Sequence, residues 1–281
     1  MPGVRVITDS ACDLTDELAQ AGGITVVPLT IRFGTEELAD RRDLSPEEFW
    51  RRCRTSPALP ETAAPAPGAF RSAFEEAADA GADSVVCISI SSGVSATYQS
   101  ALAGAEAMGG RLPVRVVDSR SLTMGQGLLC MAAADLAAQG ADLDHVVGAV
   151  EDLAGRTRVM GVLGTLDHLQ RGGRIGGAAA LLGSLLSIKP VIEVRDGVVE
   201  EESKQRTRSR ALDYLVGKCL AEAPLERVAV CDGAADDLDK VVSKLEGVDT
   251  IHPLVVAQLG PVVGTHAGPG SIGICYQKAR S

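Results

Sequence analysis

Residues 4–31 read VRVITDSACDLTDELAQAGGITVVPLTI, and this stretch decides the fold class. Val4-Arg5-Val6-Ile7-Thr8 is a short strand that ends at the polar pair Asp9-Ser10. A helical stretch, Leu14 to Gly22, follows it, and a second apolar run, Ile24 to Ile31, predicts another strand. Strand, helix, strand predicts a parallel β-α-β start, because two parallel strands need a crossover of this kind.

Working outward, Ser45-Pro46-Glu47-Glu48 combines a capping serine, a first-turn proline and a glutamate three residues after the cap, predicting a helix to about Arg54. Pro57, Pro60, Pro65 and Pro67 make Thr55 to Gly68 a loop or crossover. The alternation then resumes with a helix from about Pro67 to Ala80, a strand Ser84 to Ile90, a helix Ala96 to Met108, a strand Pro113 to Val117 and a helix from Leu122 to Gln139. This half reads as doubly wound.

From about Arg158 the pattern changes. A strand Val159 to Leu163 and a short helix Leu166 to Gln170 lead into Gly172-Gly173-Arg174-Ile175-Gly176-Gly177 and an apolar helix, Ala178 to Leu186. Strands Val191 to Val194 and Val198 to Ser203 flank Asp196-Gly197, a strong hairpin signal. Helices Arg208 to Ala221 and Asp236 to Glu246 and strands Arg227 to Cys231, Thr250 to Val256 and Ile272 to Gln277 complete the chain. A hairpin in an otherwise β/α chain argues for a second, mixed sheet. The expected fold is therefore α/β with two domains. Residues 1–157 are expected to form a three-layer α/β/α domain on a parallel sheet, and residues 158–281 an α/β domain on a mixed sheet.

Composition narrows the function. The 281 residues carry a formal net charge of −10 and only 3% aromatics. The acidic balance argues against nucleic acid as a partner, and pockets must be walled by aliphatic side chains. Seven cysteines without a C-x-x-C pair suggest a reduced cytoplasmic protein. No P-loop motif occurs, and His145, His168 and His252 lack metal-ligand spacing, so no metal or cofactor is expected.

The strand ends Thr8-Asp9-Ser10, Ser89 to Ser95 and Asp118-Ser119 fall on one edge of a parallel sheet, where ligands of such sheets bind. Ser91 to Tyr98 approximates the nucleophile elbow of hydrolases, so a serine esterase or thioesterase with Ser95 as nucleophile, His266 as base and Asp118 as orienter is one reading. The loop Gly260 to Gly270 holds His266 among four glycines and two prolines. Its end, Gly268 to Gly273, formally matches a dinucleotide fingerprint, but too little chain follows for the required helix and strand. Arg171, Arg174 and the run Lys204 to Arg210 are basic islands on an acidic chain, suited to a phosphorylated or acidic partner.

Six motifs in order resemble the DegV family of fatty-acid-binding proteins, which partner a separate bacterial fatty acid kinase. They are Thr8-Asp9-Ser10-x-x-Asp13, Ser91-Ser92-x-x-Ser95-x-Thr97-Tyr98-x-Ser100-Ala101, Asp118-Ser119 with Gly125-x-Gly127, Leu166-x-x-Leu169-x-x-Gly172-Gly173-Arg174-Ile175, Lys189-Pro190, and Gly264-Thr265-His266-x-Gly268-Pro269-Gly270. The resemblance spans essentially the whole chain. It implies two α/β domains with an acyl chain buried between them, and no catalytic residues of the protein's own. It implies a carboxylate site at Thr62, Ser92, Ser95, Ala96 and His266, and a partner or phosphoryl-transfer role for Arg174 and Arg206. The implied partners are a long-chain fatty acid and the kinase protein, with at most transient contact with a membrane surface. Two departures stand out: Thr62-Ala63-Ala64-Pro65 where the family commonly has Thr-Ser-Gln-Pro, and Ser95-Ala96-Thr97 where it has Ser-Gly-Thr. The apolar Ala178 to Leu186 helix, with Leu182 and Leu185, is expected to line or cover the acyl slot.

Overall fold

The computed structural model describes residues 3–56, 59–184 and 188–280, with the side chains of 182–184 left aside. Strand β1 (Val4–Asp9) passes through a 3-10 turn, Ser10–Cys12, into helix α1 (Asp16–Ala21), whose cap is the Thr15 hydroxyl accepting from the Leu18 amide. The expected second strand is two. β2 (Thr25–Val27) lies parallel to β1, whereas β3 (Thr30–Phe33) leaves for a separate antiparallel sheet. Pro28 stands at the break, and proline has no amide to donate to a ladder. β3 pairs with β4 (Glu36–Ala39) on one side. After helix α2 (Pro46–Thr55), which buries Phe49 and Trp50, its other side takes β5 (Glu61–Ala63). The proline-rich crossover thus contains an edge strand, the position where flanking prolines are tolerated.

Helix α3 (Pro67–Asp79), strand β6 (Ser84–Ser89), helix α4 (Thr97–Glu106) and strand β7 (Val114–Asp118) complete a parallel four-stranded sheet in the order β2-β1-β6-β7. Two helices follow, α5 (Met124–Ala138) and α6 (Leu143–Arg156). The latter is absent from the sequence expectations, although Asp142 caps it at 2.8 Å and Val146, Val147, Val150 and Leu153 form its buried stripe.

Strand β8 (Thr157–Val162) opens the second sheet, followed by the short helix α7 (Asp167–Arg171) and a 3-10 segment, Gly176–Ser184. The expected helix Ala178 to Leu186 is this segment as far as Ser184; Leu185 and Leu186, like the Leu182 side chain, fall outside the described residues. Strands β9 (Lys189–Arg195) and β10 (Val198–Gln205) form the expected hairpin. Asp196 and Gly197 have φ of 49° and 83°, the left-handed pair that such a two-residue turn requires. Helix α8 (Arg208–Leu220), strand β11 (Leu225–Gly233), helix α9 (Leu238–Leu245), strand β12 (Val255–Gln258), helix α10 (Pro261–Ala267) and strand β13 (Ser271–Lys278) end the chain. β12 is shorter than expected, Thr250 making only an isolated bridge to Leu225. The glycine-rich loop 260–270 holds α10, started by Pro261 at its first position, with His266 in its last turn.

The six-stranded sheet runs β10-β9-β8-β13-β11-β12 and is mixed: β11 and β12 are parallel, the other pairs antiparallel. Helices α3 and α4 cover the outer face of the parallel sheet, α8 and α9 the outer face of the mixed one. Between the sheets lie α5 and α6, which pack on both. Strand β11 shows the alternation this demands: Val228 and Val230 face α8 and α9, while Ala229 and Cys231 face α5.

Candidate functional site

The inner face of the mixed sheet, the carboxyl end of the parallel sheet and α10 line one cavity. Its wall is aliphatic: Val159, Ile192, Val194 and Val199 from the mixed sheet, Leu29, Ile90 and Val94 from the first half, and Leu259, Val262 and Val263 at α10. Among the described residues its polar lining is Thr62, Ser95, Thr123, Arg174, His266 and Ser271, with no carboxylate. Such a space, apolar with a few convergent polar groups, is the common form of a small-molecule site.

The hairpin turn helps to position the walls. Ser91 Oγ donates to the Gly197 carbonyl at 2.7 Å, fastening the β9–β10 turn to the loop after β6. A side chain at Gly197 would sit 2.4 Å from that hydroxyl. The polar strand ends serve the same loop. Asp9 accepts from the Ile90 amide at 2.8 Å and from Ala11 at 3.1 Å, and Thr8 donates to the Ile88 carbonyl at 2.7 Å. Thr8, Asp9 and Ser10 are buried and outside the cavity lining, so they brace the site and do not form its wall.

Thr62 and His266, 204 residues apart, meet with 3.0 Å between Thr62 Oγ1 and His266 Nε2. β5 delivers the threonine and α10 the histidine. The helix is clamped at its start, where Trp50 Nε1 donates to the Leu259 carbonyl at 2.9 Å and the Gly260 amide donates to Asp13 at 3.0 Å. His266 Nδ1 is buried without a partner and lies against Gly172, where a Cβ would come within 2.2 Å of it. A buried N–H without an acceptor is costlier than an unfilled lone pair, so the proton belongs on Nε2. Nε2–H then donates to Thr62, leaving the threonine hydroxyl proton for a ligand. Burial, and after it the nearby Arg174 charge, push the His266 pKa down to about 4, so the ring is neutral at pH 7.

Arg174 donates through Nε to the Val94 carbonyl at 3.0 Å and through Nη1 to Gly172 at 2.6 Å. These bonds hold its guanidinium beside both Ser95 and the histidine. Ser95 Oγ pairs with Thr97 Oγ1 at 2.8 Å and accepts from the Thr97 amide, while Ala96 also lines the cavity at the start of α4. Of the residues expected at the site, the structure thus brings Thr62, Ser95, Ala96, Arg174 and His266 to one cavity. Ser92 is not among them: it is exposed, donating to Asp118 at 2.5 Å. Arg206 is exposed beyond the end of β10 and does not line the cavity.

The esterase arrangement is not assembled. Asp118 accepts from Ser92 and from the Arg120 amide, and no hydrogen bond among the described residues joins it to His266 or joins His266 to Ser95. Of the expected cover, the described Ala178 and Leu181 are buried in the core and absent from the cavity wall. Gly172, part of the Gly172-Gly173-Arg174-Ile175 motif but not among the expected site residues, touches the histidine through the turn after α7, a contact that the motif itself does not display.

A family profile described as "Uncharacterised protein, DegV family" matches residues 3–279. The chain belongs to the DegV family. A DegV domain-containing protein of Listeria monocytogenes is 33% identical over 279 residues, covering 97% of this chain and 98% of its own. A solved DegV structure from Thermus thermophilus, described by its fatty acid binding, superposes with a TM-score of 0.90 at 30% identity, covering 99% of this chain and 100% of its own. A stearic acid-binding protein from Eubacterium ventriosum superposes at 0.86 with 27% identity, covering 98% of both chains. The α/β fold with a parallel and a mixed sheet is thus that of the DegV structures. No described helix is long and apolar enough to cross a membrane, and no group of three or more described acidic, histidine or cysteine side chains is arranged to hold a metal ion.

Proposed function

We propose that this DegV protein binds a long-chain fatty acid in the cavity, with the carboxylate at Thr62, Ser95 and His266 and the chain along the mixed sheet. The observation that carries this reading is an aliphatic cavity whose wall, among the described residues, holds a hydroxyl–imidazole pair and a guanidinium and no carboxylate. Moving about 14 methylenes from water into such a wall is worth roughly 11 kcal/mol at ~0.8 kcal/mol each, before the costs of association. The tail supplies the affinity, and the head group needs only orientation. Thr62 offers its proton, and His266 stays neutral and fixes the threonine. The fatty acid binding described for the Thermus thermophilus and Eubacterium ventriosum proteins supports the same ligand class here.

In the fuller reading, the protein is a carrier in the cytoplasm. It presents the carboxylate to a separate ATP-dependent fatty acid kinase and carries the acyl phosphate toward phospholipid synthesis. Attack of a carboxylate oxygen on the terminal phosphorus of ATP, with ADP leaving, would be the kinase's chemistry. Arg174 and Arg206 would meet the phosphoryl group or the partner.

Native mass spectrometry of the purified protein, with mass analysis of what denaturation releases, tests the ligand. A bound acid of about C16 to C18, the size used in the burial estimate, is expected; a protein that is empty and takes up no added fatty acid refutes the reading. For the second step, Arg174→Ala should retain fatty acid while its phosphorylation by a fatty acid kinase falls. Equal loss of both refutes the division of roles.

A further inference from the structure

The register of the mixed sheet places Ile192 of β9 beside Gly161 of β8, Gly161 beside Gly273 of β13, and Gly273 beside Cys231 of β11. All four residues line the cavity, as one row running across four strands. In its middle, two glycines face each other directly.

Glycine inside a strand weakens it, having no side chain to pack and the most backbone freedom to lose, so a facing pair calls for a reason. At other glycines the fold itself supplies one: a Cβ at Gly176 would lie 2.2 Å from the Val199 carbonyl, and one at Gly264 2.7 Å from the Phe49 ring. Gly161 and Gly273 differ. Their φ values are not in the left-handed region, and the nearest atom to an added Cβ is a carbonyl oxygen at 3.5 Å for Gly161 and 3.4 Å for Gly273, ordinary van der Waals contacts. The backbone therefore accepts a side chain at both positions, and what a side chain would occupy is cavity.

We infer that Gly161 and Gly273 set the bore of the acyl channel, their missing side chains forming a trough walled by Ile192 and Cys231 in which the fatty acid chain lies. This rests on the fatty-acid reading above. The atoms nearest an added Cβ at either position belong to Ile272, Ile192, Gly273, Met160 and Cys231 and to none of the head-group residues, so the trough governs which chains fit and not how the carboxylate is held.

The test uses Gly161→Val and Gly273→Val in the full chain, stripped of lipid, with stearic acid titrated as the probe and thermal melting as the fold control. Valine favours strands, so the melting temperature is expected to hold or rise. The dissociation constant for stearic acid is expected to rise at least tenfold in each variant. Folded valine variants that bind within threefold of the parent overturn the proposal. Should valine prevent folding, the double variant Gly161→Ala/Gly273→Ala adds only two methyl groups to the floor: affinity weakened threefold or more supports the trough, and unchanged affinity overturns it. A folded parent that takes no fatty acid of any length removes the lipid reading itself. That failure shows in the parent, whereas failure of the trough shows only in the variants.

Discussion

Replacing Gly172 by alanine separates sterics from backbone effects at the centre of the site. Gly172 has φ −75° and ψ −6°, a right-handed conformation that alanine adopts freely. At such a position the exchange ordinarily stabilises a protein by about 0.4–1 kcal/mol through the unfolded chain. Here the new Cβ would lie 2.2 Å from His266 Nδ1 and 2.8 Å from its Cε1. Restoring an ordinary 3.4 Å contact requires the ring to move by about 1.2 Å, the difference of the two distances. A displacement of that size is enough to spoil the geometry of the 3.0 Å bond between His266 Nε2 and Thr62. Overpacking of this kind costs about 1–3 kcal/mol, so the expected net is a loss of about 1–2 kcal/mol, or a melting temperature lower by roughly 2–6 °C. Losing the Thr62 bond should weaken fatty acid binding about tenfold, the equivalent of ~1.4 kcal/mol. The assay is a cycle of melting curves and fatty acid titrations on the parent, Gly172→Ala, His266→Ala and the double variant. Once the imidazole is gone, the same alanine should turn neutral or stabilising. A Gly172→Ala protein that melts higher than the parent and binds equally well would refute the packing argument.

Other outcomes follow from charge and hydrogen bonding. His266, held down to about 4 by burial and then by Arg174, should titrate in NMR far below the usual 6.5, and its resistance to charging removes stability as pH falls from 6.5 toward 4; a midpoint near 6.5 contradicts its burial. Asp40 has the opposite sign: burial raises its carboxyl to about 6, so its contribution is full below about 3.8 and lost as pH rises through 6. Asp40→Asn should therefore gain melting temperature relative to the parent between pH 4 and pH 7, and a gain that shrinks over that range speaks against it. Lipid-free protein should show no fluorophosphonate adduct at Ser95, whose hydroxyl pairs with Thr97 and not with a base; a labelled Ser95 would revive the esterase. Trp50→Phe should cost about 1 kcal/mol in denaturant unfolding by stranding the Leu259 carbonyl ahead of α10, and an unchanged midpoint denies that clamp a role.

Elements whose signals are local were legible in the sequence. The Asp196-Gly197 hairpin and the Ser45 helix start carry their turn and cap chemistry in adjacent residues, and the structure has both. The edge strand β5 was hidden because its partner β3 lies far earlier in the chain, and the β2/β3 split because the run Ile24 to Ile31 is largely apolar on both sides of Pro28, although β3 pairs with its immediate successor β4. α10 was obscured by its glycines: Gly264 sits mid-helix because Phe49 and Trp50 pack where its side chain would be, a reason no local pattern states. At the site, Thr62, Ser95, Arg174 and His266 came from family motifs. The 3.0 Å meeting of Thr62 with His266 and the support from Gly172 depend on how β5, α7 and α10 dock, which composition and periodicity do not encode. Ser92 differs from them: its hydroxyl donates to Asp118 and it does not line the cavity.

The helices between the two sheets set the terms on which this chain can be divided. α5 and α6 come from the first half in sequence, yet they cover the inner faces of both β6 and β13. A cut near residue 157 would leave the carboxyl-terminal fragment with Ala229, Cys231 and Cys275 bare on one side of its sheet. The other fragment would carry α5 with its second buried face open to water. Each would be an incomplete half of a single interior. The cavity, lined by residues from both sides of that cut, would be whole only while the two pieces stayed together.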